Sequence, residues 1–202
     1  MKKVEPIKSK KKLRDILVYL KGQDTTGRNE LIFRFGISSA LRISDILDLK
    51  YENIFTNNPG KPFFREYVVV TEKKTHKKVY FKLSGQLRDD IKSFVIKNTL
   101  KHGNFIFFSH NDKSKQLDRT NWWRIMKKLQ TIFHTSNLGS HSLRKTFGYH
   151  YYQETKDIAG LMKILNHSSQ KITLRYIGIE QENINIAYES IQNIYEKKDK
   201  VK

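Results

Sequence analysis

The sequence contains no cysteine among its 202 residues. That absence removes disulfide bonds, thiolate metal sites and a cysteine nucleophile, so any chemistry has to run on non-thiol groups. Acidic side chains are scarce too, with 20 Asp and Glu against 39 Lys and Arg, and no paired carboxylates or ligand clusters stand beside the basic motifs. No metal and no other cofactor is expected. Long apolar runs are missing: none approaches the roughly 20 residues that a membrane span needs, and the basic start MKKVEPIKSKKK leads into no signal-peptide core. These absences predict a cytoplasmic chain with no membrane partner. There is no internal repeat and no clear domain boundary.

What the chain has in excess is positive charge, a formal +19 with a pI near 9.9. Self-repulsion of that size is ordinarily kept where a polyanion offsets it, so nucleic acid is the first partner class and an anionic membrane surface the second. At 38% hydrophobic residues the chain can bury the core of one folded domain. Six lysines and one acid fill residues 1–12, a basic tail or linker that either solubilises the chain or binds a phosphate backbone.

Periodicity organises the rest. Leu13, Ile16, Leu17 and Leu20 mark one amphipathic helix, closed by GQDTTG. From Asn29 a buried helix runs to a break near 36–39, and a new helix follows through Ile43, Ile46 and Leu47. After an NNPG turn at 57–60 the period becomes strand-like, predicting strands over 66–71 and 79–83 joined by a hairpin whose tip holds Lys73, Lys74, Lys77 and Lys78. Leu87, Ile91, Phe94 and Val95 mark a further helix, and Phe105 to Phe108 form a short apolar run. Trp122, Ile125, Met126, Leu129, Ile132 and Phe133 read as a core stripe. Helices on Leu143, Phe147 and Tyr151, on Ile158, Leu161, Met162 and Leu165, and on Ile184, Ala187, Ile191 and Ile194 complete the chain. The last of these precedes a polar EKKDKVK tail. The fold class is mainly α (α+β), a helical domain carrying a small antiparallel β-sheet hairpin.

Within this frame the stretch from Ser140 to Ile179 offers a His-x-x-Arg pair (His141, Arg144), a histidine in Leu-Asn-His-Ser-Ser (His167) and a tyrosine nine residues later (Tyr176). Phosphate chemistry can use all of them: an arginine grips two phosphoryl oxygens, a histidine donates to a third or moves a proton, and a phenol can attack phosphorus. Arg42 has two readings, a surface ion pair with Asp45 or a guanidinium facing a pocket. The hairpin lysines are either a solvated face or a probe for a DNA groove.

In order, Ala-Leu-Arg-Ile-Ser-Asp, the lysine hairpin, His-Ser-Leu-Arg, Leu-Asn-His-Ser-Ser and Thr-Leu-Arg-Tyr-Ile resemble the catalytic domain of the tyrosine recombinase (phage integrase) family over about residues 13–180. The resemblance implies that Arg42 and Arg144 are the catalytic arginines, His141 and His167 the two histidine positions, and Tyr176 the nucleophile. It implies Lys74 as general acid, with Lys73 the second choice and Lys73, Lys77 and Lys78 as DNA contacts. Asn166 stands where the family usually has glycine; asparagine also tolerates a left-handed backbone. The implied reaction is cofactor-free strand exchange on double-stranded DNA, with self-association into a tetrameric synapse and no small-molecule substrate. Residues 181–202 would be a C-terminal helix and polar tail, packing on a neighbouring protomer. The family's N-terminal clamp domain has no room here, so an excised catalytic domain or a minimal recombinase is expected. A type IB topoisomerase, a catalytically silent DNA-binding regulator and a basic RNA-binding protein remain alternatives.

Overall fold

A computed structural model describes residues 4–56, 63–83, 85–110, 112–135 and 137–196. The turn expected over 57–60 and the end of the polar tail lie outside them. The chain divides into two compact units, Met1–Phe147 and Gly148–Lys202. That division falls inside a helix, at neither of the boundaries expected near residues 12 and 180.

The first unit starts with α1, Lys10–Lys21, capped where the Ser9 side chain accepts from the Lys12 N–H. It begins inside the expected tail, and the residues before it are not loose. Pro6 and Ile7 are buried, the Glu5 N–H donates to the Asn137 carbonyl and the Ile7 N–H to the Thr146 hydroxyl at 2.9 Å. α2, Arg28–Ser39, runs unbroken through Gly36. The glycine is there for packing: a Cβ on it would lie 2.4 Å from a Leu143 methyl, so the Leu143 side chain rests directly on the α2 backbone. The break comes one step later, at Ala40, whose φ of 57° turns the chain out of the helix. A non-glycine residue in that region costs on the order of 1 kcal/mol. The turn sends the next residues into α3, Ile43–Leu47, with Arg42 at its N-cap, and α4, Tyr51–Ile54, follows.

β1, Val68–Thr71, pairs antiparallel with β2, Lys78–Phe81, in the register Val68↔Phe81 and Val70↔Val79. The alternation shows why: Val68 and Val70 face the core while Tyr80 on the partner strand is exposed. After α5, Gly85–Lys97, comes a second hairpin, β3 Phe108–Ser109 with β4 Asp112–Gln116, which the sequence did not announce. DKSKQ has neither β-branched nor aromatic residues, so strand propensity gives no signal there. α6, Arg119–Ile132, is capped by Asp118 and buries Trp122, Met126 and Leu129 of the expected stripe in the core, while Ile125 and Phe133 are half-buried and Ile132 is exposed.

α7, Ser142–Thr155, bridges the two units along the chain. In the second unit, Gly148 on α7 stands against Ile177, Leu165 and Leu161, where a Cβ would approach Ile177 to 2.8 Å. α7 buries Leu143 and Tyr149, while Phe147 and Tyr151 are only half-buried, so the stripe predicted through Phe147 and Tyr151 is shifted. α8, Ile158–Leu165, ends on Asn166 at φ 52° and ψ 50°, the left-handed cap that glycine would otherwise supply. α9, Gln170–Ile177, capped by Ser169, carries Tyr176, and α10, Ile179–Glu196, follows Gly178. Ile184 and Ile191 of α10 are exposed; the side chains of Ala187 and Ile194 lie outside the described set.

Candidate active site

In the first unit, the Ala40 turn, the β1–β2 tip and the start of α7 converge. Arg144 sits one turn into α7 with only 3% of its surface exposed. Its Nη1 donates to the Ala40 carbonyl at 2.7 Å and lies 3.4 Å from the Glu72 carboxylate. Arg42 donates from Nη1 to that same Glu72 oxygen. The surface pair with Asp45 does not form; Asp45 is buried and accepts instead from the Lys73 backbone N–H at 3.1 Å. The difference is one of reach: an N-cap arginine points back past the first turn of α3, towards the hairpin, while Asp45 faces the strand end.

Glu72 is the residue that sequence reasoning missed. It is 3% exposed, its other oxygen accepts from the Thr75 hydroxyl at 2.5 Å, and it ties the lysine turn to both arginines. Burial alone would raise its pKa, but the hydrogen bonds from Arg42 and Thr75 and the charges of Arg42 and Arg144 outweigh it and hold the carboxyl below the usual range. Its only sequence signal is a lone acid at the head of a run of lysines.

Four cations, an imidazole and two hydroxyls line one open cavity of about 330 Å³: Arg42, Lys73, Lys74 and Arg119, His141, and Ser44 with Ser140. His141 opens α7, its carbonyl accepting from the Lys145 N–H at 2.9 Å. It is exposed while Arg144, three residues on, is buried, so the two do not share one solvent face. Lys73 is partly committed, its Nζ 2.8 Å from Asp48. Lys77 and Lys78 are exposed at the hairpin but do not line the cavity. Arg119, the first residue of α6, was not singled out from the sequence.

Partial burial of the His141 ring lowers its pKa, and the charges of Arg144, Arg42, Lys145 and Lys74 lower it further. Burial and the four cations act in the same direction, and because the residue as a whole stays exposed, solvent moderates both. In the free chain the ring should therefore titrate below the ordinary 6.5, so that it is more neutral than an isolated imidazole at the same pH. Arg42→Ala removes one cation and should raise the value back towards normal. An NMR titration of the ring protons reads both; a parent value at or above normal contradicts this electrostatic account.

The second unit holds its own constellation. His167 follows the Asn166 turn, and its Nδ1 lies 3.1 Å from the Thr173 hydroxyl. That hydroxyl donates to the Ser169 carbonyl at 3.0 Å, so its single proton is spent and Nδ1–H is the donor to it. Nε2 of the neutral ring is then an acceptor, and it donates only when the ring is protonated. The His167 ring meets the Tyr176 ring edge-on, with centroids 5.0 Å apart. Thus Arg42, Lys74, His141 and Arg144 gather in one unit, and His167 and Tyr176 in the other. Among the described residues no group of three or more His, Cys, Asp or Glu could hold a metal ion, and no helix is long and apolar enough to cross a membrane.

Comparison with known proteins narrows the meaning of these two constellations. A probable integrase/recombinase of Bacillus subtilis, YoeC, is 38% identical over 185 residues, covering 92% of this chain and 95% of that one. The tyrosine recombinase XerH of Campylobacter jejuni is 24% identical over 92% of this chain, which spans only 51% of its length. Among solved structures, XerH bound to a palindromic difH substrate in a post-cleavage complex superposes with a TM-score of 0.67 at 17% identity, over 92% of this chain and 53% of that one. The catalytic domain of bacteriophage HP1 integrase does so at 0.60 and 18%, with coverage of 88% and 89%. These superpositions establish the fold, a tyrosine recombinase catalytic domain. The phage integrase family model matches residues 9–183, so with the likeness to YoeC this chain belongs to the phage integrase family.

Proposed function

We propose that the chain is a site-specific recombinase or integrase that cuts and rejoins double-stranded DNA through a 3′-phosphotyrosine bond made by Tyr176, with neither metal nor nucleotide cofactor. The observation that carries this reading is the cavity walled by Arg42, Lys74, His141 and two further cations, with Arg144 buried behind it. It is built for an anion. Family membership and the recombinase names of the relatives support it, as do the DNA-bound complexes of the structural neighbours, which include a lambda integrase tetramer on a Holliday junction.

In this mechanism the phenolic oxygen of Tyr176 attacks phosphorus, the bond to the 5′-oxygen breaks, and the phosphate stays on the enzyme. Charge grows on the non-bridging oxygens, where Arg42 and Arg144 meet it with fixed guanidiniums and a protonated His167 donates a further hydrogen bond. His141, its pKa lowered by burial and by its cationic neighbours, takes the phenolic proton; Lys74 gives one to the departing 5′-oxygen. Attack by a second strand's 5′-hydroxyl reverses these steps, so the bond energy is kept and no nucleotide is needed. Exposed Ile184, Ile186, Tyr188 and Ile191 on α10 support association between copies on DNA.

The test is incubation with the DNA flanking the native gene, followed by denaturing electrophoresis for a covalent protein–DNA band. The band should form equally in excess chelator, because fixed cations do the work a metal would do. Loss in chelator with restoration by magnesium overturns the mechanism. Adducts that reseal without ever exchanging strands between duplexes point instead to type IB nicking and resealing.

A further inference from the structure

Glu72 is left over from the reaction just described, since it neither lines the cavity nor carries a proton in any step. A buried carboxylate between two catalytic-type arginines could do one of two opposite things. It could occupy the arginines in place of phosphate and have to leave before substrate binds. Alternatively, it could hold them from behind while phosphate binds in front.

The burial pattern separates these. Arg42 lines the cavity and keeps 17% of its side chain exposed, whereas the Glu72 side chain is 4% exposed and is absent from the cavity wall. The carboxylate therefore lies on the far side of Arg42 from the space a phosphate would enter. It is also built into the backbone of the turn: the Glu72 N–H donates to the Lys77 carbonyl, the Glu72 carbonyl accepts from the His76 N–H, and Oε2 accepts from Thr75 beside Lys74. To vacate the arginines the carboxylate would have to give up the Thr75 hydroxyl and leave its buried place. Arg42 and Arg144 converge on its Oε1, so the one negative charge also offsets the repulsion between two cations held close together.

We propose, on the recombinase reading above, that Glu72 is a positioning residue that fixes Arg42, Arg144 and the Lys74-bearing turn in a single arrangement for the transition state, at the expense of ground-state affinity for phosphate. The two consequences have opposite signs. A negative charge behind the cradle weakens its attraction for a phosphate. The hydrogen bonds it accepts from charged donors, about twice as strong as those to a neutral acceptor, keep the guanidiniums aimed. A carboxylate that merely supports the fold has no such split signature.

Glu72→Gln keeps the shape and one acceptor while removing the charge. In a Tyr176→Phe background, which uncouples binding from chemistry, it should bind a random-sequence duplex at least about threefold more tightly at low salt, with the gain shrinking as salt rises. With Tyr176 intact, adduct formation on the flanking DNA should fall by about 10²-fold, the scale of a small misplacement of reacting groups. Tighter binding is its own folding control, because a chain that has lost its structure does not gain affinity. Parallel loss of binding and cleavage makes Glu72 a structural support and overturns the proposal, and so does unchanged or faster cleavage. If the parent forms no adduct on the flanking DNA, the recombinase reading fails by itself. The duplex-affinity comparison then still decides whether Glu72 opposes anion binding, and equal or weaker binding by Glu72→Gln overturns that half independently.

Discussion

Tyr176→Phe should abolish the covalent DNA adduct while leaving DNA affinity within about fivefold of the parent, since one surface hydrogen bond nets roughly 1 kcal/mol or less. The variant removes a single oxygen. The ring that meets His167 edge-on remains, and so does the packing of α9 through Ile177 and Thr173, both fully buried. Affinity should in any case come from the basic surface, with 39 Lys and Arg to contact phosphates, and none of these is touched. Chemistry has no substitute: without the phenolic oxygen no phosphotyrosine bond can form. The measurement is denaturing electrophoresis of adduct beside a binding titration. An adduct that persists would move the nucleophile to a neighbouring tyrosine, and the structure ranks them. Tyr149 is 8% exposed, Tyr151 donates to Asp157 at 3.1 Å and has its pKa raised, and Tyr152 carries Lys156 over its ring. Tyr149 also meets a histidine ring edge-on, that of His150, but unlike Tyr176 it is buried.

What the sequence made legible was what short-range chemistry controls. β-branched and aromatic residues fill both strands, so the first hairpin could be read from the chain, although its strands, 68–71 and 78–81, are shorter than the expected 66–71 and 79–83. Asn166 tolerates a left-handed backbone, so the turn into His167 survives the loss of the usual glycine, and the nine-residue step from His167 to Tyr176 fits one capped helix. Long-range partners were not legible. Glu72 joins Arg42 across 30 residues and Arg144 across 72, and nothing in a run of lysines says that its one acid turns inward. The basic N-terminus looked like a tail because six lysines hide the few apolar residues among them. Pro6 and Ile7 are buried, and the Val4 carbonyl accepts from the Lys145 Nζ, 141 residues away. The boundary between the compact units was invisible for another reason: it falls within the continuous helix α7, where neither glycine runs nor a change in composition marks it.

Lys74→Ala should slow adduct formation on ordinary DNA by the roughly 10²- to 10⁴-fold typical of losing one acid–base group, yet leave cleavage of a bridging-sulfur substrate near the parent rate. The departing 5′-oxygen is the conjugate base of a weakly acidic alcohol and leaves poorly without a proton. A sulfur in that bridging position leaves readily as a thiolate and needs none. Selective rescue therefore reports proton donation and nothing else. The geometry favours Lys74 over Lys73 for this role. Lys74 lines the cavity with Arg42 and His141 and adjoins Thr75, which Glu72 anchors. Lys73 also reaches the cavity wall, but its Nζ is 2.8 Å from Asp48 and its backbone is held by Asp45. A lysine already hydrogen-bonded to a carboxylate has to break that contact before it can reach a leaving oxygen. Lys73→Ala should accordingly weaken binding of both substrates alike and flatten the salt dependence by about one unit of slope, the behaviour of a phosphate contact. Rescue by sulfur in Lys73→Ala alone would exchange the two roles. If neither variant shows it, the general acid is not in this hairpin, and one of the two histidines, His141 or His167, has to supply the proton.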